Sequence, residues 1–272
     1  MPDHPEPPDR PVPAPREAVQ RWRLVVSREA LPSEVGQREQ LQAWEAALAG
    51  SGLPVAGLDA DPPRPRLAHA APLSVSIPGL AELVDVWLTA RTPAWRVRGT
   101  LGTSMPRGHA LVEAYDVWLG APALPGQVVA SVYRATFLHG AVDPDWLAGA
   151  CADLMTETTL PRSRSKGQST VTYDLRPFLA DLMVASTDTA DTPDGGVVLR
   201  MTLRHDPERG IGRPDEALAA LGERLGRALE PMSLVRETLV LAPPVKAEPA
   251  PRPGPRPGSR CGGRQSASRR RG

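Results

Sequence analysis

The stretch RSRSKGQSTVTYDLRPFL, residues 162–179, combines a basic segment, a short alternating run and a tight turn. We predict a basic loop over residues 162–167 and a strand over residues 170–174. The turn Asp174-Leu175-Arg176-Pro177 follows, because proline cannot continue a strand ladder. An apolar segment over residues 178–184 comes next.

The flanking residues place this stretch in a mixed sheet-and-helix region. Residues 197–204 alternate between an apolar side and a mainly polar side, which predicts a strand with one covered face. Pro214 opens a helix, and residues 234–241 form the last strand. Upstream, we predict a strand over residues 128–138 and then a helix that begins at Asp143-Pro144. Cys151 lies on the apolar face of that helix, where packing is its expected role.

The N-terminal part of the chain predicts a second set of similar elements. We expect a strand over residues 21–27 and a helix over residues 37–48. Short strands are predicted at residues 73–77, 83–89 and 109–119. Residues 91–108 contain three Gly and two Pro, so no long helix is expected there.

These elements predict an α+β fold built from two consecutive ferredoxin-like halves of the βαββαβ type with antiparallel sheets. The first half is expected to have lost or shortened its second helix. The predicted division of the chain is a Pro-rich disordered segment, a first half, a linker, a second half and a disordered basic tail, at residues 1–20, 21–120, 121–127, 128–242 and 243–272.

Charge and cysteine content restrict the class of protein. Residues 243–272 carry eight basic residues and one acid, so the rest of the chain is acidic although the total is +1. Two cysteines cannot ligate a zinc ion or an iron–sulfur cluster by themselves, and we expect no metal and no cofactor. Few cysteines and no apolar run of membrane-spanning length favour a cytoplasmic protein that does not enter a membrane.

Several short motifs together resemble one protein family. The pieces are LQAWEAALAGSGLP, PLSVSIPGLAELVDVWL, ASVYRATF, the KGQ…YDLRP signature, GRPDEAL and the segment 236–241. They resemble the radical SAM-linked protein family, DUF2344, over residues 21–242. The resemblance implies an accessory domain that works beside a cobalamin-type radical SAM protein, with RNA-processing and ribosomal genes as neighbours.

The sequence departs from that family at two places. The family carries a Ser-His-Leu-Asp element at the start of the first helix and a Gly-Phe-Asn-Pro-His-Pro element after it. These fall here within residues 31–39 and 57–65, where the histidines and the aromatic residue are missing. Any ligand site that those elements build in relatives is therefore altered in this chain.

Candidate binding residues lie mainly in the opening stretch. Arg162, Arg164, Lys166 and Arg176 could grip the phosphates of RNA, since phosphate contacts supply much of the affinity for nucleic acid. Arg213 precedes the helix at Pro214, whose N-terminal amides could meet a phosphate.

The same residues also have purely structural or compositional explanations. Arg162 and Arg164 could be solvated loop residues, and the Arg excess is also what a GC-rich gene produces. Asp174, Arg176 and Pro177 could shape the turn instead of binding a ligand, with Asp174 and Arg176 paired to each other. The four histidines after residue 60 are isolated in sequence and have no metal-type spacing.

Three functions are compatible with these patterns. The first is a non-catalytic accessory protein that binds RNA or a substrate for the radical SAM partner. The second is a structural partner that holds that enzyme through exposed strand edges. The third is an RNA-modifying or hydrolytic enzyme that uses Asp174 and Arg176.

Overall fold

A computed structural model gives the fold of residues 16–166, 169–185 and 196–243, with the backbone alone at residues 164–166 and 169. The predicted disordered ends lie mostly outside the described residues. Sheet pairing is present just before the predicted first strand, since the N–H of Val19 donates to the carbonyl of Leu88.

The described strands and helices, in chain order, are β1 Gln20–Arg28, α1 Gln37–Gly50, β2 Leu67–His69, β3 Gly79–Leu88, α2 Ala94–Ser104, β4 His109–Val117, β5 Val128–Phe137, α3 Pro144–Thr156, β6 Pro161–Lys166, β7 Ser169–Asp174, β8 Leu179–Ala185, β9 Val197–Asp206, β10 Gly210–Ile211, α4 Pro214–Arg224 and β11 Ser233–Leu241.

Nine of these strands form one mostly antiparallel sheet. Its main path runs β10-β9-β5-β11-β3-β1-β4, with β2 added to β3 and β8 added to β9. The contact between β11 and β3, at Arg236 and Gly79, is parallel, whereas the other strand pairs are antiparallel. The α+β class with a large antiparallel sheet is therefore confirmed.

The helices cover one face of the sheet in two groups. Trp44 and Leu48 of α1 and Val97 and Leu101 of α2 pack with the buried side chains of β1 and β3. Helices α3 and α4 pack with β5, β8 and β9 in a larger cluster. Cys151 is buried within that cluster, as predicted, but Trp146 of the same helix is 74% exposed. None of the described helices is both long and apolar enough to cross a membrane.

The opposite face of the sheet holds the connection between β4 and β5. Residues Leu124–Gln127 form a 3₁₀ turn, and Leu124 is fully buried against the sheet. Arg21 of β1 donates to the carbonyls of Ala121 and Pro122 at 2.7 and 3.0 Å, and its Nε donates to Asp85. The predicted linker is thus fixed to the sheet.

Two sequence predictions in the N-terminal part are wrong. Residues 91–108 contain the 11-residue helix α2, because Val97 and Leu101 bury one side of it while Arg98 binds the carbonyl of Ala114. Residues 73–77 form no strand, since several carbonyls of the 71–78 loop accept hydrogen bonds from arginine side chains instead of from a neighbouring strand.

Candidate functional site

The basic segment before the Asp174 turn is a strand and not the predicted loop. Strand β6 pairs with β7 as a separate antiparallel hairpin, with Arg162 opposite Tyr173. The guanidinium of Arg162 forms an ion pair with Glu223 of α4, and 17% of the Arg162 side chain is exposed. The side chains of Arg164 and Lys166 lie outside the described part of the structure.

Arg176 binds the end of a helix. Its Nε and Nη2 donate to the carbonyls of Glu157 and Met155, at 2.9 and 2.8 Å, just where α3 ends. Its Nη1 donates to the carbonyl of Leu179 at 3.0 Å. The carbonyls of Met155 and Glu157 lie at the end of α3, where a helix leaves its last carbonyls without intrahelical partners, and Leu179 is the first residue of β8.

Asp174 and Pro177 shape the same turn. The Oδ1 atom of Asp174 accepts from the N–H groups of Leu160 and Arg176 at 2.7 and 3.0 Å. The carbonyl of Pro177 accepts from Nη1 of Arg204. The carboxylate of Asp174 therefore binds the backbone N–H of Arg176, whereas the guanidinium of Arg176 binds backbone carbonyls.

Arg213 lies apart from these residues. It precedes α4, and its Nε is 3.6 Å from Oδ1 of Asp215. Arg162 contacts Glu223 near the other end of α4, roughly 15 Å away at the helical rise of 1.5 Å per residue. The structure therefore brings Arg162 and Arg176 to the C-terminal ends of α4 and α3, and leaves Arg213 at the start of α4.

A cavity of about 610 Å³ lies elsewhere, between α1 and the strands β1 to β4. We call it the Trp44 cavity. The 71–78 loop and Pro125 complete its lining. Most of its wall is apolar, and the polar side chains that line it are Arg28, Gln37, Arg38, Gln40, His69, Glu82 and His109.

Trp44 lies between two imidazoles. Its ring centroid is 5.4 Å from that of His69 and 5.5 Å from that of His109, with interplanar angles of 79° and 82°. Burial lowers the pKa of both histidines, and Arg28 lowers them further. Nδ1 of His109 lies 3.1 Å from the carbonyl of Arg107, which can only accept. Neutral His109 therefore carries its proton on Nδ1 and leaves Nε2 as an acceptor.

Arg28 joins the cavity to the 71–78 loop. Its Nη1 donates to Gln40 and to the carbonyl of Leu73, and its Nη2 donates to the carbonyls of Ser74 and Ile77. Nε of Arg28 is buried and has no hydrogen-bond partner among the described residues. Burial lowers the pKa of Arg28, although Glu82 opposes that effect.

Arg236 holds the other side of the same loop. It donates to both carboxylate oxygens of Glu82 and to the carbonyls of Ala71 and Pro72. Burial disfavours the charged guanidinium, but the hydrogen bonds and the charge of Glu82 outweigh burial and raise the pKa of Arg236. Glu82, the one carboxylate among the described residues that line the cavity, is thus already neutralised by Arg236.

Sequence reasoning missed this site because its parts are far apart in the chain. His69 and His109 were interpreted as isolated residues. The signal that could have joined them is register: His69 lies opposite Val84 of β3, and His109 lies opposite Arg28 of β1. Finding it requires strand β2, which lies in a proline-rich segment that was not predicted to pair.

A family model described as "Uncharacterized protein conserved in bacteria (DUF2344)" matches residues 21–212. The chain belongs to the DUF2344 family. The predicted family assignment is therefore confirmed. All residues that line the Trp44 cavity fall within the part that matches the DUF2344 model, whereas Glu223 and Arg236 lie beyond it.

Two solved structures are similar to this chain at low sequence identity. A chain in a Cbf5–Nop10–Gar1 complex is 12% identical, with a TM-score of 0.41, over 79% of this chain and 49% of that chain. A chain in the archaeal box H/ACA sRNP Nop10–Cbf5 complex is 12% identical, with a TM-score of 0.35, over 78% of this chain and 47% of that chain. The DUF2344 chain thus spans about half the length of these chains. No curated protein matches it.

Proposed function

We propose that this DUF2344 protein is a non-catalytic accessory protein that holds a substrate in the Trp44 cavity for a cobalamin-type radical SAM partner. The single observation that carries this proposal is the cavity itself. Its volume of about 610 Å³ lies within the range typical of small-molecule sites, and a few polar groups converge on an otherwise apolar wall. The radical SAM partner comes from the family resemblance and supplies the chemistry.

The position of the cavity supports the same proposal. One of the two family elements that differ in this chain falls within residues 31–39, and Gln37 and Arg38 from that segment line the cavity. If those elements bind a ligand in relatives, their altered residues would change which substrate this chain holds.

The architecture we propose for this role is a pair of ferredoxin-like halves. Strand order supports it: residues 20–117 run β4-β1-β3-β2, and residues 128–241 run β11-β5-β9-β8, the same order in both. Each set also reads strand, helix, strand, strand, helix, strand, apart from the inserted β6–β7 hairpin and β10. The division near residues 121–127 follows from this repeat.

Reconstitution with a cobalamin-type radical SAM protein from the same organism tests the function. The Leu41→Trp variant places an indole at the cavity wall and should abolish the stimulation of the partner's turnover while both proteins still co-purify. The control is Met183→Trp, which adds the same ring at a position that is 50% exposed and distant from the cavity wall. Full stimulation by Leu41→Trp, or failure to recover any radical SAM partner, would contradict the proposal.

RNA binding by the β6–β7 hairpin is the second candidate function. One observation favours it: Arg162, Arg164 and Lys166 occupy alternate positions of β6 and therefore share one face of that strand. An electrophoretic shift with bulk RNA should weaken when Arg164 and Lys166 both become Glu. The same charge change at Arg209 and Arg227, two exposed residues outside the hairpin, is the control. Equal shifts for the two double variants would remove this candidate.

A further inference from the structure

We propose that the Trp44 cavity selects a small organic anion that carries an apolar body and one hydrogen-bond donor. This inference rests on the proposed function, because it names the class of substrate for the same cavity. Phosphate and carboxylate are the two sources of the anion, and the experiment below separates them.

Positive side chains outnumber negative ones around the cavity. Arg28 and Arg38 line it, and Arg236 lies directly behind it. Against these three guanidiniums stands one carboxylate, Glu82, which already receives two hydrogen bonds from Arg236. Among the described residues, Arg28 donates hydrogen bonds to carbonyls and an amide but to no carboxylate. The cavity therefore has uncompensated positive charge, which an anion would neutralise.

One buried donor of Arg28 lacks an acceptor among the described residues. Arg28 is only 7% exposed, and its buried Nε lacks a partner among the described residues. Buried donors in folded proteins are almost always bonded, so the described residues leave the hydrogen-bonding capacity of this cavity-lining guanidinium incompletely satisfied. Gln37 and Arg38, the first two residues of α1, line the same cavity. The positive end of the helix dipole thus adds to the attraction for an anion.

The remaining lining of the cavity suits a ligand with an apolar body. Val26, Leu41, Trp44 and Val84 give the cavity an apolar wall, which favours an organic body over a bare inorganic ion. Nε2 of neutral His109 is an acceptor, so a ligand N–H or O–H can bind there. An anionic head toward Arg28 and a donor toward His109 together fix the orientation of the ligand.

Calorimetric titration of the full chain at low salt tests the charge selection. The probes are adenosine 5′-monophosphate with neutral adenosine, and indole-3-acetate with neutral indole-3-acetamide. We expect at least one anion to bind with a Kd at least about tenfold below that of its neutral counterpart, as a direct charge contact would produce. The phosphate pair and the carboxylate pair report separately which head group is preferred.

Two variants localise the effect. Arg38→Glu should weaken binding of the anion about tenfold or more and leave the neutral counterpart unchanged, because Arg38 is exposed at the start of α1 and its replacement disturbs no buried contact. Arg209→Glu carries the same charge change away from the cavity and should have no effect.

Three outcomes would overturn the inference. They are binding of neither anion, equal binding of an anion and its neutral counterpart, and equal losses in the two variants. Binding of the neutral compounds alone would remove the anion selection but leave a ligand cavity in place. The proposed function fails separately, through the reconstitution with the radical SAM partner.

Discussion

Arg236 of β11 and Glu82 of β3 form a two-point ion pair beside the one parallel strand contact of the described sheet. The Arg236 side chain has no exposed surface, and that of Glu82 is 15% exposed. In the sheet, β11 lies beside β5 on one side and β3 lies beside β1 on the other. The ion pair therefore links the two groups of strands that meet at the contact between β11 and β3. It also holds the carbonyls of Ala71 and Pro72, so the same guanidinium fixes a wall of the Trp44 cavity.

Glu82→Gln should destabilise the protein strongly. The substitution leaves the guanidinium of Arg236 buried without a counter-charge, and breaking a buried ion pair in this way costs about 3–5 kcal/mol. Urea unfolding followed by circular dichroism would measure the loss in the free energy of unfolding. Glu45→Gln is the matched control, because its partner Arg64 is 73% exposed and such pairs contribute about 1 kcal/mol or less. Similar losses in the two variants would show that the Arg236 pair does not hold the sheet together.

The lowered pKa of His205 leads us to expect a loss of stability in mild acid. Its Nε2 lies 2.8 Å from Oγ of the buried Ser131. Burial, with a contribution from the charge of Arg236, lowers the pKa of His205 to about 4 from 6.5. Between those two values the unfolded chain binds a proton at this ring and the folded chain does not. The free energy of unfolding must therefore fall as the pH drops from about 6.5 towards 4.

The measurement is a series of unfolding curves across that range. Because His69 and His109 also have lowered pKa values, His205→Gln should reduce the slope of stability against pH without abolishing it. His139→Gln is the control, since its ring is on the 138–142 connection and not in the sheet. An unchanged slope in His205→Gln would mean that His205 titrates normally in the folded protein.

The elements that the sequence predicts best are those set by local pattern. Strand β9 follows from its alternation, because Leu199, Met201 and Leu203 are fully buried while Arg200 and Arg204 are exposed. The start of α3 follows from Asp143, whose carboxylate accepts from the N–H groups of Asp145 and Trp146. In both cases the deciding contacts lie within a few residues or within one strand.

The parts that could not be predicted depend on contacts distant in sequence. The 71–78 loop takes its shape from Arg28 and Arg236, which are respectively more than 40 and more than 150 residues away from it. Helix α2 contains Gly99 and Gly102, which disfavour a helix, and tertiary packing of Val97 and Leu101 overrides that preference. The Trp44 cavity is lined by residues of the 71–78 loop together with His69 of β2 and His109 of β4, so no local pattern could have located it.

Arg176→Gln should reveal a structural role for Arg176 of the Asp174-Leu175-Arg176-Pro177 turn. The change removes up to three charge-assisted hydrogen bonds to the carbonyls of Met155, Glu157 and Leu179. Loss of bonds to a charged donor costs about 2–3 kcal/mol, and the free energy of unfolding should fall by that amount. Arg213→Gln, at a side chain that is 52% exposed, should change stability by no more than about 0.5 kcal/mol. A stable Arg176→Gln variant that has lost RNA or partner binding would instead assign Arg176 to function.

Cys151 should be unreactive in the folded protein. It is 2% exposed in the cluster beneath α3, and burial, followed by the charge of Asp181, raises the pKa of its thiol to about 12. Since the thiolate is the reactive form, a disulfide-exchange reagent should modify Cys151 at least about a hundredfold more slowly than an exposed thiol. The Cys261→Ser variant makes Cys151 the sole thiol for this measurement.

The matched control for Cys151 moves the thiol by one position along the same helix. Ala152 is exposed, so Ala152→Cys in a chain with both natural cysteines replaced by Ser presents a solvent-accessible thiol on α3. We expect that thiol to react at once, whereas Cys151 should react only when the α3 cluster opens, and urea should accelerate Cys151 alone. Equal rates for the two thiols in the folded protein would contradict the packing role of Cys151 and make it accessible for chemistry.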